Sequence, residues 1–193
     1  MYMAMEYEVK VAIEDIDAME RKLRELGATL VDEVEEEDYY VDLRPCIDLR
    51  SKDTALRIRV SQSRLLRRRT SELTFKGPKV VPNMKIRKEI NVAVEDGYKV
   101  LEIFKELGFR YYLIKKKRKI YRYGPYKVFL DQVHNLGSFL EVEVEGVDSI
   151  DKFVEMIKKF VSILRVSENF ITRSYLETVS YTHLRAHETS LHL

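Results

Sequence analysis

A chain of 193 residues is long enough to bury one hydrophobic core without disulfides, so a single domain is expected. The net charge is only +2 although 34% of the residues are charged, and an overall basic surface of the kind that binds nucleic acid is therefore not indicated. The single cysteine excludes an internal disulfide, and no apolar run approaches the roughly 20 residues of a membrane span. With nothing at the N-terminus that resembles a signal peptide, a cytoplasmic protein is expected. The scarcity of glutamine favours a thermophilic source.

The first predicted element is a strand at residues 6–13, where charged and apolar side chains alternate. Successive side chains of a strand point to opposite faces, so Glu6, Glu8 and Lys10 share one face and the other face is apolar. Because the apolar face has to be buried, the strand is expected to belong to a sheet with one polar side.

A helix and a pair of strands are predicted next. Apolar residues recur at helical spacing over 14–27, and a glycine ends the pattern. Strands are predicted at 29–34 and 39–43. The acidic run between them, residues 35–38, is interpreted as a solvated hairpin turn.

A loop at 45–53 leads into a predicted strand at 56–60. The connection that follows, residues 61–70, is rich in arginine. It is interpreted as a solvated loop, an RNA-binding segment, or a cover that attracts anions to a tunnel mouth. A turn with two prolines at 77–83 precedes a strand at 85–94.

The second half of the chain begins with a predicted helix at 96–108. Two strand elements are predicted within 110–123, and a further strand at 126–132 leads through a turn into an acidic last strand. An amphipathic helix follows at 148–164, and residues 173–177 are expected to complete the fold.

Residues 1–177 are therefore expected to form one domain. Residues 178–193 differ in character and are interpreted as a disordered or vector-derived tail. The spacing of His183, His187 and His192 in this tail is compatible with metal binding, but the tail is excluded from the functional argument.

An internal repeat relates two parts of the chain at a fixed offset of 81 residues. Residues 23–27, for example, match residues 104–108. In this register Glu8 falls on Glu89, so polar positions of both parts are expected to meet in one channel. Two similar strand-helix-strand halves are implied, and the copy number is too low for a solenoid.

The alternation of the first strand recurs in five later segments, namely 56–60, 72–76, 85–90, 127–131 and 140–145. Carboxylates concentrate in the first and last strands, and arginine and lysine in the middle ones. If helices cover the apolar faces, the charged faces must surround a common hydrated space, because unpaired buried charge costs several kcal/mol. The pattern predicts an α+β fold: an antiparallel closed β-barrel of about eight strands, with a polar lumen and helices outside. Such a lumen suits a polyanion held with a divalent cation.

The same residues resemble the CYTH superfamily, which groups class IV adenylate cyclases with thiamine triphosphatases and related triphosphate tunnel enzymes. The stretch Glu6-x-Glu8-x-Lys10 is similar to the N-terminal signature of that family. Six further blocks follow in the family's order: Arg57-x-Arg59, residues 73–78, Arg87-x-Glu89, Lys116-x-Arg118-x-x-Tyr121, residues 130–143 and residues 174–177. The resemblance covers residues 5–177 and is nearest to the class IV adenylate cyclase branch.

The resemblance implies a role for these residues. Mg²⁺ or Mn²⁺, which prefer oxygen ligands, are expected to be bound by Glu6, Glu8, Glu141 and Glu143. Lys10 is expected to contact phosphate or to act as a base. Phosphate oxygens are expected to be held by Arg57, Arg59, Lys76, Arg87, Lys116 and Arg118. Support is expected from Glu89 and Asp131.

Two reactions are open on such a site. In a cyclase the ribose 3′-hydroxyl attacks the α-phosphorus of ATP and pyrophosphate leaves; in a hydrolase water attacks the terminal phosphorus. Class IV adenylate cyclase-like activity is the working hypothesis, and hydrolysis of thiamine triphosphate, a nucleoside triphosphate or tripolyphosphate is the alternative.

Two readings without catalysis also stay open: a binder of triphosphates or RNA 5′ ends, and an RNA-binding protein that uses residues 64–69. The expected partner is a small-molecule triphosphate rather than a membrane or a nucleic acid, and a homodimer is left open. Tyr39, Tyr40 and Phe139 are candidate contacts of a nucleobase, with core or surface packing as the alternative.

Overall fold

The structure, a computed structural model, describes residues 4–81 and 84–178. Within these residues the strands are β1 (Ala4–Ile13), β2 (Thr29–Asp42), β3 (Ala55–Ser63), β4 (Arg69–Lys79), β5 (Lys85–Val94), β6 (Arg110–Tyr123), β7 (Tyr126–Val133) and β8 (Gly137–Val144). The helices are α1 (Ile16–Glu25), α2 (Gly97–Glu106) and α3 (Ile150–Leu164). Among the described residues, no helix is both long enough and apolar enough to span a membrane. From residue 179 on, the predicted tail with its three histidines lies outside the described residues.

The strands close into a barrel in the order β1-β5-β4-β3-β2-β6-β7-β8. Every neighbouring pair is antiparallel, and β8 returns to pair with β1, where Glu143 lies opposite Glu8. Because side chains alternate along each strand, one set points into the lumen and the other points outward to the helices. The predicted closed antiparallel barrel is confirmed.

The barrel consists of two similar halves. β5, α2 and β6 have the same lengths as β1, α1 and β2, and each begins 81 positions later. The closed strand order is unchanged when each strand is exchanged for its counterpart four strands away, so an approximate two-fold axis relates the halves. The halves differ most between their second and third strands, where residues 43–54 join β2 to β3 and residues 124–125 join β6 to β7.

The prediction of a solvated turn at residues 35–38 is wrong, because β2 runs through them without interruption. Glu36 and Asp38 are buried on the inward side, where they meet cations of neighbouring strands. Glu37 points outward and accepts a hydrogen bond from the Tyr98 hydroxyl at 3.0 Å. An acidic run can therefore form an interior strand when both faces supply partners.

The prediction of two elements within residues 110–123 is also wrong, since β6 is one strand. Its basic run alternates between faces: Lys116 is buried on the inward side, whereas Lys119 pairs on the outside with Glu20 of α1. The arginine-rich connection is shorter than expected, because β3 and β4 extend to leave only residues 64–68 between them.

The main hydrophobic core lies between the outer face of the barrel and the helices α1 and α3, with Val9, Leu140 and Phe153 among its buried residues. A second cluster lies under α2 and includes Leu101. A third cluster contains Tyr40, Ile114, Val133, Phe139 and Tyr175. The first two clusters hold the helices against the outer face of the barrel. The third lies on the inward side, because Ile114 is in register opposite Asp38 and Phe139 opposite Asp131, so the lumen has an apolar part beside its charged residues.

Phe153→Ala should lower the free energy of unfolding by about 3–5 kcal/mol, because it opens a cavity between α3 and the barrel. The Phe153 ring is fully buried and lies 5.4 Å from the ring of Tyr7. Urea denaturation measures the loss, and Ile163→Ala on the exposed side of the same helix is the control, with an expected change of less than about 1 kcal/mol. An equally small loss for Phe153→Ala would contradict the packing of α3 described here.

Candidate active site

The inward faces of the strands surround a cavity of about 360 Å³. Eleven of the thirteen predicted site residues line it, and they come from β1, β3, β4, β5, β6 and β8. The other two, Lys10 and Asp131, are fully buried and do not line the cavity. Residues far apart in the chain are thus brought together by the strand order.

Opposite charges meet at every seam of the barrel. On the inward side, each of the eight neighbouring strand pairs places an acidic residue in register opposite a basic one. These pairs are Glu8–Lys85, Glu89–Lys76, Glu72–Arg59, Asp38–Arg59, Glu36–Lys116, Asp131–Arg118, Glu143–Lys127 and Glu141–Lys10. The lumen is therefore close to charge balance without any bound molecule.

The predicted metal ligands form one acidic wall on the adjacent strands β1 and β8. Burial raises the pKa values of Glu6, Glu8 and Glu143, and the nearby Glu141 raises that of Glu8 further. The Lys85 ammonium donates hydrogen bonds to Glu8 and, at 3.2 Å, to Glu141. Although burial also opposes ionisation of Glu141, Lys85 and Arg118 hold its pKa well below the usual range. The wall thus combines three carboxylates whose ionisation is opposed by burial with one that its cationic neighbours keep ionised.

Two arginines are bound by both oxygens of a buried aspartate. Arg59 donates to Asp38 at 2.6 and 2.8 Å, and Arg118 donates to Asp131 at 2.6 and 2.5 Å. Although burial opposes ionisation of Asp38, Arg59 and Lys116 hold its pKa well below the usual range. The fork of each guanidinium is largely occupied, so these arginines are fixed in place.

Arg57 and Arg87 have much weaker partners. The closest carboxylate oxygen to Arg57 is 3.6 Å away on Glu72, and its Nε has no hydrogen-bond partner among the described residues. The closest to Arg87 is 3.9 Å away on Asp53. Arg57 also donates a hydrogen bond of 3.2 Å to the Thr74 hydroxyl. Because both side chains are buried and line the cavity, they are the buried arginines most available to an anion inside it.

Lys10 lies beside the cavity and is held by the C-terminal segment. Its amine donates a hydrogen bond of 2.5 Å to the carbonyl of Arg173 and lies 4.1 Å from the centre of the Tyr175 ring. The hydroxyl of Tyr175 donates to Asp131 at 2.9 Å. Burial, reinforced by the neighbouring Lys85, lowers the pKa of Lys10 to about 7.

Several cavity residues escaped the sequence prediction. Glu36 lines the cavity and Asp38 is buried beside it on the same inward face. Both were hidden in the presumed turn, although their spacing of two residues is that of side chains on one face of a strand. Lys85 precedes Arg87 in the same alternation and could have been included for that reason. Tyr175 lies in a matching motif block, but its contact with Lys10 depends on the folded chain.

The three aromatic candidates for base recognition have different environments. Tyr39 points outward into the cluster under α2 and is unsuitable. Tyr40 lines the cavity. Phe139 packs edge-on against the Tyr175 ring, with 5.1 Å between centres. Of the three, Tyr40 alone is in a position to touch a molecule in the cavity.

The CYTH domain family matches residues 4–175 of the chain. The chain belongs to the CYTH family. A Methanocaldococcus jannaschii protein, whose name proposes adenylate cyclase activity, is 36% identical over 180 residues that cover 90% of this chain and 97% of that protein. The PH1819 protein of Pyrococcus horikoshii OT3 has a similar structure, with a TM-score of 0.79 and 34% identity over 92% of this chain and 99% of that one.

The fold extends to more distant proteins. A Hippeastrum protein described as having a dominant triphosphatase activity matches with a TM-score of 0.65 and 16% identity, over 89% of this chain and 93% of that one. At this identity the likeness concerns the fold alone.

The acidic wall of this CYTH protein fits a divalent cation by its chemistry. Among the described residues no group of three or more histidine, cysteine, aspartate or glutamate side chains is placed to hold a metal ion. The Lys85 ammonium binds both Glu8 and Glu141 instead. The raised pKa values of Glu6, Glu8 and Glu143 indicate that added positive charge would be accommodated. Carboxylate oxygens suit Mg²⁺ or Mn²⁺.

Glu36→Gln should cost about 3 kcal/mol of stability at pH 7. Burial opposes ionisation of Glu36, but Arg59 and Lys116 outweigh it and lower its pKa from 4.5 to about 2. Because the folded-state pKa is depressed, the stabilisation is present above pH 4.5 and is lost as the pH falls towards 2.

Urea unfolding between pH 7 and pH 3 tests this dependence, and the difference between wild type and Glu36→Gln should shrink below pH 4.5. Glu35→Gln is the matched control, since Glu35 points outward on the same strand and is half exposed. A difference that does not vary with pH would be inconsistent with ionic stabilisation by Glu36.

Proposed function

We propose that this protein is a divalent-metal-dependent enzyme of nucleoside or other organic triphosphates, and that it converts ATP to cyclic AMP and pyrophosphate as class IV adenylate cyclases do. The observation that carries the proposal is the meeting, in one cavity, of carboxylates from β1 and β8 with arginines and lysines from β3 to β6. A triphosphate with a bound cation is complementary to both walls. The relationship to the M. jannaschii protein supports the cyclase reaction.

The phosphates are proposed to bind first to Arg57 and Arg87, whose donors are least occupied. Lys76 and Lys116 add contacts by exchanging carboxylate partners for phosphate oxygens. Arg59 stays bound to its aspartate, as does Arg118, and both supply positive potential to the cavity.

Glu8 and Glu141 are proposed as direct ligands of Mg²⁺ or Mn²⁺, with Glu6 and Glu143 binding directly or through water. A cation bound there would neutralise charge that develops on phosphate oxygens. The Lys85 ammonium has to leave Glu8 and Glu141 for this to happen, and the phosphates of the substrate offer it new partners. Lys85 therefore joins the proposed phosphate-binding residues.

Lys10 remains the candidate for contacting phosphate or accepting a proton from the attacking hydroxyl. It follows Glu8 on the inward face of β1 and lies opposite Glu141. To act in the cavity its amine must release the carbonyl of Arg173. Glu89 supports this arrangement at a distance, since it holds the Lys76 ammonium.

A triphosphatase is the second candidate function. The cavity lining is dominated by charged residues, with Tyr40 and Phe129 among its few aromatic ones. Such a lining is complementary to a triphosphate whatever group is attached to it, so water could be the nucleophile in place of a ribose hydroxyl. The Hippeastrum protein is an example of this fold with that activity.

Non-catalytic readings are less well supported. A simple anion sensor gains nothing from an acidic wall unless a cation bridges it to the ligand. RNA binding by residues 64–69 would depend on exposed arginines, of which Arg64 already pairs with Glu35 at 2.5 Å. Salt-sensitive RNA binding that survives Glu8→Ala and Arg57→Ala would favour it.

Glu8→Gln should lower turnover by at least about 100-fold, because it removes a proposed metal ligand. The protein is incubated with ATP, thiamine triphosphate or tripolyphosphate, each with Mg²⁺ or Mn²⁺, and the products are separated. Glu25→Gln on the exposed side of α1 is the control and should retain full activity.

Cyclic AMP with pyrophosphate from the wild type would support the cyclase, and orthophosphate would support the triphosphatase. Absence of turnover with every substrate and metal would contradict both.

Arg57→Ala and Arg59→Ala should have different effects although the residues are two positions apart. Arg57→Ala should raise KM by about 10-fold or more with a small change in stability, since it removes an available phosphate donor. Arg59→Ala should lower the free energy of unfolding by about 3–5 kcal/mol, because it leaves Asp38 buried without its partner.

Steady-state kinetics with tripolyphosphate and urea denaturation of both variants make the comparison. If Arg57→Ala were the more destabilising variant and Arg59→Ala the one with the higher KM, the assignment of the two roles would be reversed.

A further inference from the structure

The two halves of the barrel differ in how their outer faces are covered. On one side of the two-fold axis, the outward residues Val9 and Val11 of β1 lie opposite Val142 and Leu140 of β8, and all four are at most 4% exposed. Helix α3 packs over this face and buries it. The face therefore belongs to the main core.

The equivalent face on the other side of the axis is open. The offset of 81 residues takes Val9 to Ile90 and Val11 to Val92, and these lie opposite Phe75 and Leu73 of β4. Val92 is 45% exposed and Phe75 is 36% exposed, while Leu73 and Ile90 are half-buried. We call these four residues the β4–β5 face. Nothing in residues 4–81 and 84–178 takes the place of α3 over it.

Helix α2, which packs on β3 and β4, carries two further exposed apolar side chains. Ile103 is 59% exposed and Leu107, just after the helix, is 65% exposed. In the first half the position equivalent to Ile103 is Lys22 of α1, whose amine donates to the last carbonyl of α3, that of Leu164. By analogy with Lys22, Ile103 lies where an element that covers the β4–β5 face would contact α2. Contiguous apolar surface of this kind marks an interaction site.

Helices α1 and α3 of a neighbouring molecule do not offer an exposed apolar side that could cover this surface. The outer side of α3 is charged, with Asp151, Lys152, Glu155, Lys158 and Lys159 exposed. The outer side of α1 is charged as well, with Asp17, Arg21, Arg24 and Glu25 exposed. The apolar sides of both helices are already buried in the main core. The same surface on a second copy of the chain is apolar at its centre and is therefore a suitable cover.

We propose that a second copy of this chain covers the β4–β5 face and the exposed side of α2, giving a two-fold symmetric dimer. The exposed side of α2 is self-complementary: Lys99 lies one turn before Ile103 and Glu106 one turn after it. When two such helices pack antiparallel about a two-fold axis near Ile103, each Lys99 faces Glu106 of the other copy. An apolar centre with a charged rim is the usual composition of such interfaces.

The charged residues around the apolar centre, Lys99 and Glu106, have opposite signs, which favours a second copy over a nucleic acid or a membrane. A nucleic acid or an anionic membrane would require one sign of charge, and the rim carries both. The face is also separate from the cavity, whose residues point to the other side of the same strands. Dimerisation would leave the cavity residues unchanged, so this proposal does not depend on the proposed function.

The test is the mass of the full chain in solution, measured by sedimentation equilibrium from about 0.1 to 100 μM. We expect a dimer, and a rise of at least about 100-fold in its dissociation constant for Ile103→Glu, which puts a charge in the apolar centre. Circular dichroism should show an unchanged fold, because Ile103 is exposed. Val92→Glu should act in the same direction from the sheet.

Charge exchange tests the symmetry. Lys99→Glu should weaken the dimer by about 10-fold, because it brings two negative charges together, and the double variant Lys99→Glu with Glu106→Lys should restore it. Leu65→Glu, in the exposed 64–68 connection, is the control and should leave the dimer intact.

Three results would overturn the proposal: a wild-type chain that is monomeric at about 100 μM, a dimer that is insensitive to Ile103→Glu and Val92→Glu, or a dimer lost in the Leu65→Glu control instead.

Discussion

Charge pairing across the strand seams is the constraint on which the rest of the structure depends. Each of the eight seams places an acidic and a basic inward residue directly opposite each other. A slip of one residue in any seam would turn these charges outward and bring apolar residues into the lumen. It would also leave groups such as Asp38 and Asp131 buried without partners, at a cost of several kcal/mol each. The strand register of the barrel and the charge balance of its lumen therefore depend on each other, and neither can change without the other.

A lumen balanced in this way determines which residues can respond to a ligand. Residues such as Arg59 and Arg118 are fixed by their aspartates and contribute potential without moving. Arg57 and Arg87 are held less tightly, with no carboxylate oxygen closer than 3.6 Å, and Lys127 resembles them with Glu143 at 3.8 Å. A polyanion that enters together with a divalent cation adds less net charge than the polyanion alone. It can exchange partners with Lys85 and the acidic wall while the seams stay paired.

Duplication explains the skeleton of the protein, and the differences between its halves explain where it is asymmetric. The repeat places Glu89 at the position of Glu8, but Arg87 at the position of Glu6, so the acidic wall is not repeated on the second copy of the strand. Helix α3 covers the outer face of β1 and β8, whereas no element within residues 4–81 and 84–178 covers the equivalent face of β5 and β4 in the same way. The two copies of the repeat share one architecture, and the differences between them leave one acidic wall in the cavity and one uncovered apolar face outside.

The sequence by itself determined the alternation of charge, the repeat and the order of the motifs, and these were sufficient for a closed barrel with inward-facing charges. Eleven of the predicted site residues line the cavity for that reason, since the parity of a strand assigns each side chain to a face. Only the tertiary structure decided that Glu36 and Asp38 belong to an inner strand, because a run of carboxylates has the same local pattern in a solvated turn. It also decided that Val11 is buried while its counterpart Val92 is exposed. Burial and pairing depend on what lies opposite a residue, and strand order and helix placement set that across the whole chain.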